Sequence, residues 1–149
     1  MSTWTPRSVF RGLAVTEAIT WALLLTGMFL KYVTETTELG VQVFGMVHGV
    51  VFIAYCLVTV VVAVDQRWSL SRLALGLVAA VPPFATLLFE RYADRRGLLG
   101  DEWLSRHDSP TAPQRAVCWL LRHHRLAAGL LVVAVAALTG AALVVGPPA

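Results

Sequence analysis

Two ionisable side chains stand inside apolar runs of this sequence, and both belong to types that handle protons or cations. Glu17 interrupts the run Val9–Leu30, and His48 interrupts the run Val41–Val64. A charged side chain in hydrocarbon costs about 2.5–3.5 kcal/mol on insertion scales, so Glu17 needs a partner or a water-filled cavity. It reads either as a proton or cation site or as half of a structural pair. Arg72 is the partner its position suggests, with Thr16 and Thr20 close by on the same run.

His48 sits on a defined helix face. Gly45, His48, Gly49, Phe52, Cys56 and Thr59 follow the i, i+3, i+4, i+7 spacing. Gly45-x-x-x-Gly49 also matches the small-xxx-small pattern that lets membrane helices approach closely. His48 is therefore expected to face a helix neighbour, making an interhelical hydrogen bond or handling a proton or ligand. Haem or metal ligation would need further ligands, and the other histidines, His107, His123 and His124, lie outside the apolar runs. Helix rise separates Glu17 and His48 by roughly 10 Å in depth. Tyr55 or a water would have to link them. Lys31 and Glu90 are placed to pair with each other on His48's side.

Catalytic signatures are missing. The sequence has no CxxC, HExxH, GxSxG or phosphate loop, and no cluster of carboxylates. Cys56, on the packing face, reads as a small core residue. No catalytic residue, metal or cofactor is assigned.

The elements that hold these residues follow from composition. The chain has 149 residues, 57% hydrophobic and 14% charged, with a mean hydropathy of +0.69. Soluble domains average about 45–50% apolar and about 25% charged. High hydrophobicity excludes disorder, and two cysteines, Cys56 and Cys118, exclude a disulfide scaffold. The net charge is +3, and the basic residues are Lys31 and 11 arginines, mostly at the ends of apolar runs. That placement suits a membrane protein and not a nucleic-acid binder.

Four apolar stretches predict an all-α integral membrane protein, a compact bundle of four transmembrane helices. They are Val9–Leu30, Val41–Val64, Leu73–Phe89 and Leu126–Val145. A crossing needs roughly 20 apolar residues. The third stretch is short and carries Pro82-Pro83 near its middle, so it is either a kinked span or re-entrant. The first is too long for a signal-peptide core and is expected to be retained. Residues 113–125 suggest a short interfacial helix before the fourth span, with Val117, Leu120 and Leu121 on one side. Trp4, Trp68, Trp103, Trp119 and Tyr92 fall near the ends of the stretches, as interfacial aromatics do, and Trp21 does not.

Charge and topology pull against each other. With four full spans, residues 65–72 and 90–125 lie on opposite sides. The total basic count and the first span's own flanks then give opposite orientations. A re-entrant third stretch removes the conflict by placing 11 of the 12 basic residues on one side. Re-entrant backbone, however, needs protein cover that a small bundle supplies poorly. Full spanning is the expectation carried forward.

Residues 7–96 resemble a bacterial integral-membrane family, domain of unknown function 3817. The resemblance rests on Phe10-Arg11, Glu17 and Leu30-Lys31-Tyr32. It continues through Gly45-x-x-His48-Gly49-x-x-Phe52-x-x-Tyr55, Trp68, and Pro83-Phe84-x-Thr86 before a basic cluster. Ala85 departs from the glycine often found at that position. The resemblance implies a three-segment membrane module over residues 1–96. Residues 97–125 then form a polar loop and interfacial helix, and residues 126–149 an appended span.

The expected role is a non-enzymatic accessory or scaffold subunit of the bacterial cytoplasmic membrane. It would pack in the lipid bilayer through Gly45/Gly49 and the Gly129-Ala136-Gly140 face, against its own copies or another membrane protein. The alternative is a small oligomeric transporter or channel subunit using Glu17 and His48, with Tyr55 and Arg72 as further candidates. A haem- or quinone-associated redox protein is a third reading.

Overall fold

The computed structural model describes residues 4–104 and 111–145. Among them the chain forms six helices and no strand. The first, α1, is Pro6–Tyr32, 27 residues. Its start is specified locally. The Thr5 hydroxyl accepts from the Ser8 amide at 3.1 Å, and Ser8 Oγ accepts from the Thr5 amide at 2.9 Å. Pro6 follows at the first helical position, where its missing N–H leaves no bond unmade. The second helix, α2, is Leu39–Asp65, again 27 residues. Both are long and apolar enough to cross a membrane.

The two long helices run antiparallel and are joined by residues 33–38. Their backbones touch at Gly27 and Gly40. A Cβ on Gly27 would lie 2.7 Å from the Gly40 carbonyl carbon and 2.9 Å from its oxygen. At this crossing only hydrogen fits.

The third apolar stretch differs from the expected span. It is two short helices, α3 (Leu70–Val78, 9 residues) and α4 (Ala85–Arg95, 11 residues). At about 1.5 Å per residue they are only about 14 and 17 Å long. The chain turns back between them instead of continuing. Pro82 and Pro83 have no N–H and block a continuous ladder, and Phe84 takes the left-handed conformation (φ +63°) that starts α4.

Three contacts fix the direction of the return. Thr86 reaches Glu17 and Ala14, Glu90 pairs with Arg11, and Asp94 pairs with Arg7. As α1 descends from residue 17 to residue 7, α4 runs from 86 to 94 alongside it. The end of α4 therefore lies beside the start of α1, at the same end of the molecule as residues 65–72. The expected pairing of Lys31 with Glu90 does not occur. Glu90 meets Arg11 at 3.2 Å, and Lys31 meets Glu38 at 3.6 Å at the opposite end.

The core fills the space between α1, α2 and this hairpin. The rings of Phe10, Tyr55, Trp68 and Phe89 meet with centroids 5.5–6.0 Å apart. Ala14, Val62, Ala80 and Ala93 are buried with them. Leu98, Leu99 and Trp103 belong to the same core, so the packed unit extends past residue 96. Residues 97–104 are stitched to the helix ends above them. Trp68 Nε1 donates to the Leu98 carbonyl and Trp103 Nε1 to the Trp4 carbonyl, both at 2.8 Å.

The expected helix before the fourth stretch is α5, Ala112–Arg122, and it leads through His123 into α6, His124–Val145. Gln114, buried on α5, donates to the Asp65 carbonyl at 3.1 Å and so docks α5 at the end of α2. The 22-residue α6 packs on α2 and α5.

Candidate functional site

Glu17 lies near the middle of α1 and is fully buried. Thr86, in the first turn of α4, donates from Oγ1 to Glu17 Oε2 at 2.6 Å and also lies 3.4 Å from the Ala14 carbonyl. The start of a half-helix thus faces a carboxylate, and the positive end of a helix dipole favours such a neighbour. No ion pair of the described residues reaches Glu17. Arg72, the partner suggested by position, is exposed near the start of α3. A hydroxyl takes the role expected of a guanidinium.

The other oxygen of Glu17 is buried without a hydrogen bond, and so is the Trp21 indole nitrogen one turn further along. The two groups face each other closely enough to interact. Trp21 is therefore not misplaced away from an interface. Its ring packs on the His48 imidazole, with centroids 4.6 Å apart, and its N–H side is turned to the carboxylate.

His48 is buried against α1. Its Nδ1 lies 3.0 Å from Thr20 Oγ1, and Thr20 Oγ1 donates to the Glu17 carbonyl oxygen at 2.9 Å. A hydroxyl carries one proton. Thr20 Oγ1 stands between the Glu17 carbonyl and His48 Nδ1, and the imidazole tautomer sets whether Nδ1 donates to it or accepts from it. Glu17 and His48 are thus linked through Thr20, by the main chain of Glu17 and not by its carboxylate. Phe52 flanks the imidazole at 6.3 Å.

Tyr55 does not bridge Glu17 and His48. Its hydroxyl donates to the Gly76 carbonyl at 3.2 Å, holding α3 against α2. Gly76 is the small residue that allows this approach. A Cβ there would lie 2.9 Å from the Phe89 ring and 3.1 Å from the Thr59 methyl.

Within the chain, the glycines expected to pack are not where the two long helices approach most closely. Gly45 makes ordinary contact with Leu24, at 3.7 Å from a built Cβ. Gly49, Gly129 and Gly140 would meet nothing within 4 Å, and Ala136 is exposed with the last two on α6. The close backbone approach lies instead at Gly27 and Gly40. Spacing on a single helix does not show which face the neighbour takes.

Among the described residues no three His, Cys, Asp or Glu side chains are placed to hold a metal ion. His107 lies outside the described residues, and His123 bonds within its own helix region, to the Trp119 carbonyl at 3.0 Å.

Residues 7–95 match the model of a family described as Domain of unknown function (DUF3817). The chain belongs to the DUF3817 family. Two relatives match the chain over stretches of similar length. A Streptomyces coelicolor protein provisionally named a membrane protein, SCO5905, is 54% identical over 91 residues. That match covers 60% of this chain and 11% of the relative, so the chain spans about a tenth of that protein's length. The uncharacterized membrane protein YdzA of Bacillus subtilis is 35% identical over 88 residues, 58% of this chain and 91% of YdzA. No solved structure matches the chain. Glu17, Thr20, Trp21, His48, Tyr55, Gly76 and Thr86 all fall inside the DUF3817 segment. Together with the two long apolar helices, these relatives make the chain a membrane protein of a family of unknown function.

Proposed function

We propose that this DUF3817 protein is a non-enzymatic accessory module of the bacterial cytoplasmic membrane, with three crossings and one re-entrant hairpin. The observation that carries the role is that each interior polar candidate ties one helix to another. Glu17 holds α4 through Thr86, His48 holds α1 through Thr20, and Tyr55 holds α3 through Gly76. Polar groups spent in this way act as pins within a packed unit. The relatives support a portable unit, since the matched stretch makes up most of YdzA and a small part of the Streptomyces protein.

In this reading α1, α2 and α6 cross the bilayer, while α3 and α4 enter from one side and return to it. The proline tip suits hydrocarbon, because two of its residues bring no N–H to be satisfied. Local turns serve its neighbours: the Val81 amide donates to the Val78 carbonyl, and the Ala85 amide to the Pro82 carbonyl. Every arginine of the sequence then belongs to segments on one side, and only Lys31 is on the other, with Glu35 and Glu38. That asymmetry puts the arginine-rich end in the cytoplasm. The C-terminal helix α6, with Gly129, Ala136 and Gly140 on its exposed surface, is the element that sets this chain apart from the bare module.

Flux through reconstituted protein tests the role. Liposomes carrying the purified chain should pass protons and monovalent cations no faster than empty liposomes. A flux that Glu17→Gln removes would replace this reading with that of a small transporter subunit using Glu17 and His48. One specific observation favours that second reading: Glu17 is buried with no cationic partner and faces the start of a half-helix, as ion sites of discontinuous membrane helices do.

A further inference from the structure

We propose that the outer face of α4 binds an anionic phospholipid headgroup. Leu88, Arg91, Tyr92, Arg95 and Arg96 line a surface groove of about 340 Å³. The groove exists because α4 sorts its charges. Its acidic residues turn inward, where Glu90 meets Arg11 at 3.2 Å and Asp94 meets Arg7 at 2.9 Å. Its basic residues turn outward. Among the described residues no ion pair engages Arg91, Arg95 or Arg96.

Three guanidinium groups on one exposed groove recognise a group with several anionic oxygens, because each presents a fork of N–H donors. Tyr92 orders the set, with Arg96 stacked 5.6 Å from its ring centroid. The apolar side of the groove selects a lipid over a free anion. Leu88, Arg91 and Arg95 share one face of the helix at spacings of three and four, and Phe84 stands just before its first residue. Leu88 is 67% exposed and Phe84 43% exposed. Two apolar side chains thus continue the stripe towards the hairpin tip, where an acyl chain would lie, and the arginines end it at headgroup level. Basic sites of this kind on the cytoplasmic side suit phosphate-bearing lipids.

The site rests on the membrane placement proposed above, which labelling from the two sides tests separately. Lipid binding in detergent reads the groove alone. Full-length protein in a neutral detergent should melt several degrees higher with phosphatidylglycerol. Phosphatidylcholine and inorganic phosphate should leave the melt unchanged. The variant R91Q/R95Q/R96Q should keep the lipid-free melting temperature and lose the shift, while R115Q/R122Q, on α5, should keep it. Native mass spectra of the wild type should show retained phosphatidylglycerol in preference to phosphatidylcholine, whatever the yield of the triple variant. The proposal is overturned by an undiminished shift in R91Q/R95Q/R96Q, by an equal shift with phosphatidylcholine, or by equal retention of both lipids. A shift with inorganic phosphate alone would assign the groove to free anions and overturn the lipid.

Discussion

Thr86 Oγ1 lies 2.6 Å from Glu17 Oε2, so the first turn of a half-helix is tied to the middle of the longest helix pair in the molecule. This bond decides where the hairpin tip stops. Thr86 meets α1 between Ala14 and Glu17, about 12–17 Å from the start of a helix about 40 Å long at 1.5 Å per residue. Thr86 therefore meets α1 less than halfway along it, with the Pro82-Pro83 tip lying beyond that contact.

Removing the hydroxyl tests that tie. Thr86→Val keeps the shape and deletes the donor, leaving a buried carboxylate oxygen unsatisfied. The expected loss is about 1–3 kcal/mol of stability, read as a lower melting temperature in detergent. Glu17→Gln keeps an acceptor for Thr86 and should cost less. A larger loss in Glu17→Gln than in Thr86→Val would show that the charge of Glu17, and not the Thr86 bond, holds this site.

The glycines should divide by position. Gly27→Ala forces a methyl to within 3 Å of the Gly40 backbone, which cannot rotate away, and should cost about 1–3 kcal/mol as overpacking does. Gly49→Ala meets open space and should leave the melt unchanged. His48→Gln, which retains a donor and an acceptor, should fall between them. A Gly49→Ala variant less stable than Gly27→Ala would contradict the helix contact described.

The hairpin has its own pair of tests. Tyr55→Phe removes the bond to the Gly76 carbonyl and should cost about 0.5–1.5 kcal/mol. Gly76→Leu would drive a side chain into Phe89 and Thr59 and should be worse. Protease resistance of residues 70–95 should fall in the same order. Equal resistance in both variants would separate Gly76 from the seating of α3.

The two long helices were legible in the sequence because each is an unbroken apolar run of spanning length, and α5 because its apolar residues share one side. The family was legible because its residues keep their spacing. The return of the third stretch was half legible: Pro82-Pro83 marked the break and the one-sided arginines favoured a return, but the small bundle argued for a full span. A proline pair shows that a helix stops, but only the partners of Thr86, Glu90 and Asp94 show that the chain reverses. Those partners lie some 70–90 positions away in α1. Arg72 was a plausible mate for Glu17 by charge, yet a threonine from the hairpin supplies the bond, because packing and not charge sets which side chain arrives. The Gly27–Gly40 contact was hidden for a similar reason. Each glycine sits on a different helix, and no spacing rule joins them.

Side-specific labelling of the hairpin flanks tests the central claim most directly. Single cysteines replace Glu35, Ser71 and Asp101 in a background lacking Cys56 and Cys118. An impermeant maleimide is applied to intact spheroplasts and to inside-out vesicles. The three-crossing account predicts that Ser71 and Asp101 label only in inside-out vesicles and Glu35 only in spheroplasts. Labelling of Ser71 and Asp101 from opposite sides would mean that the Pro82-Pro83 stretch crosses the bilayer, and would contradict it.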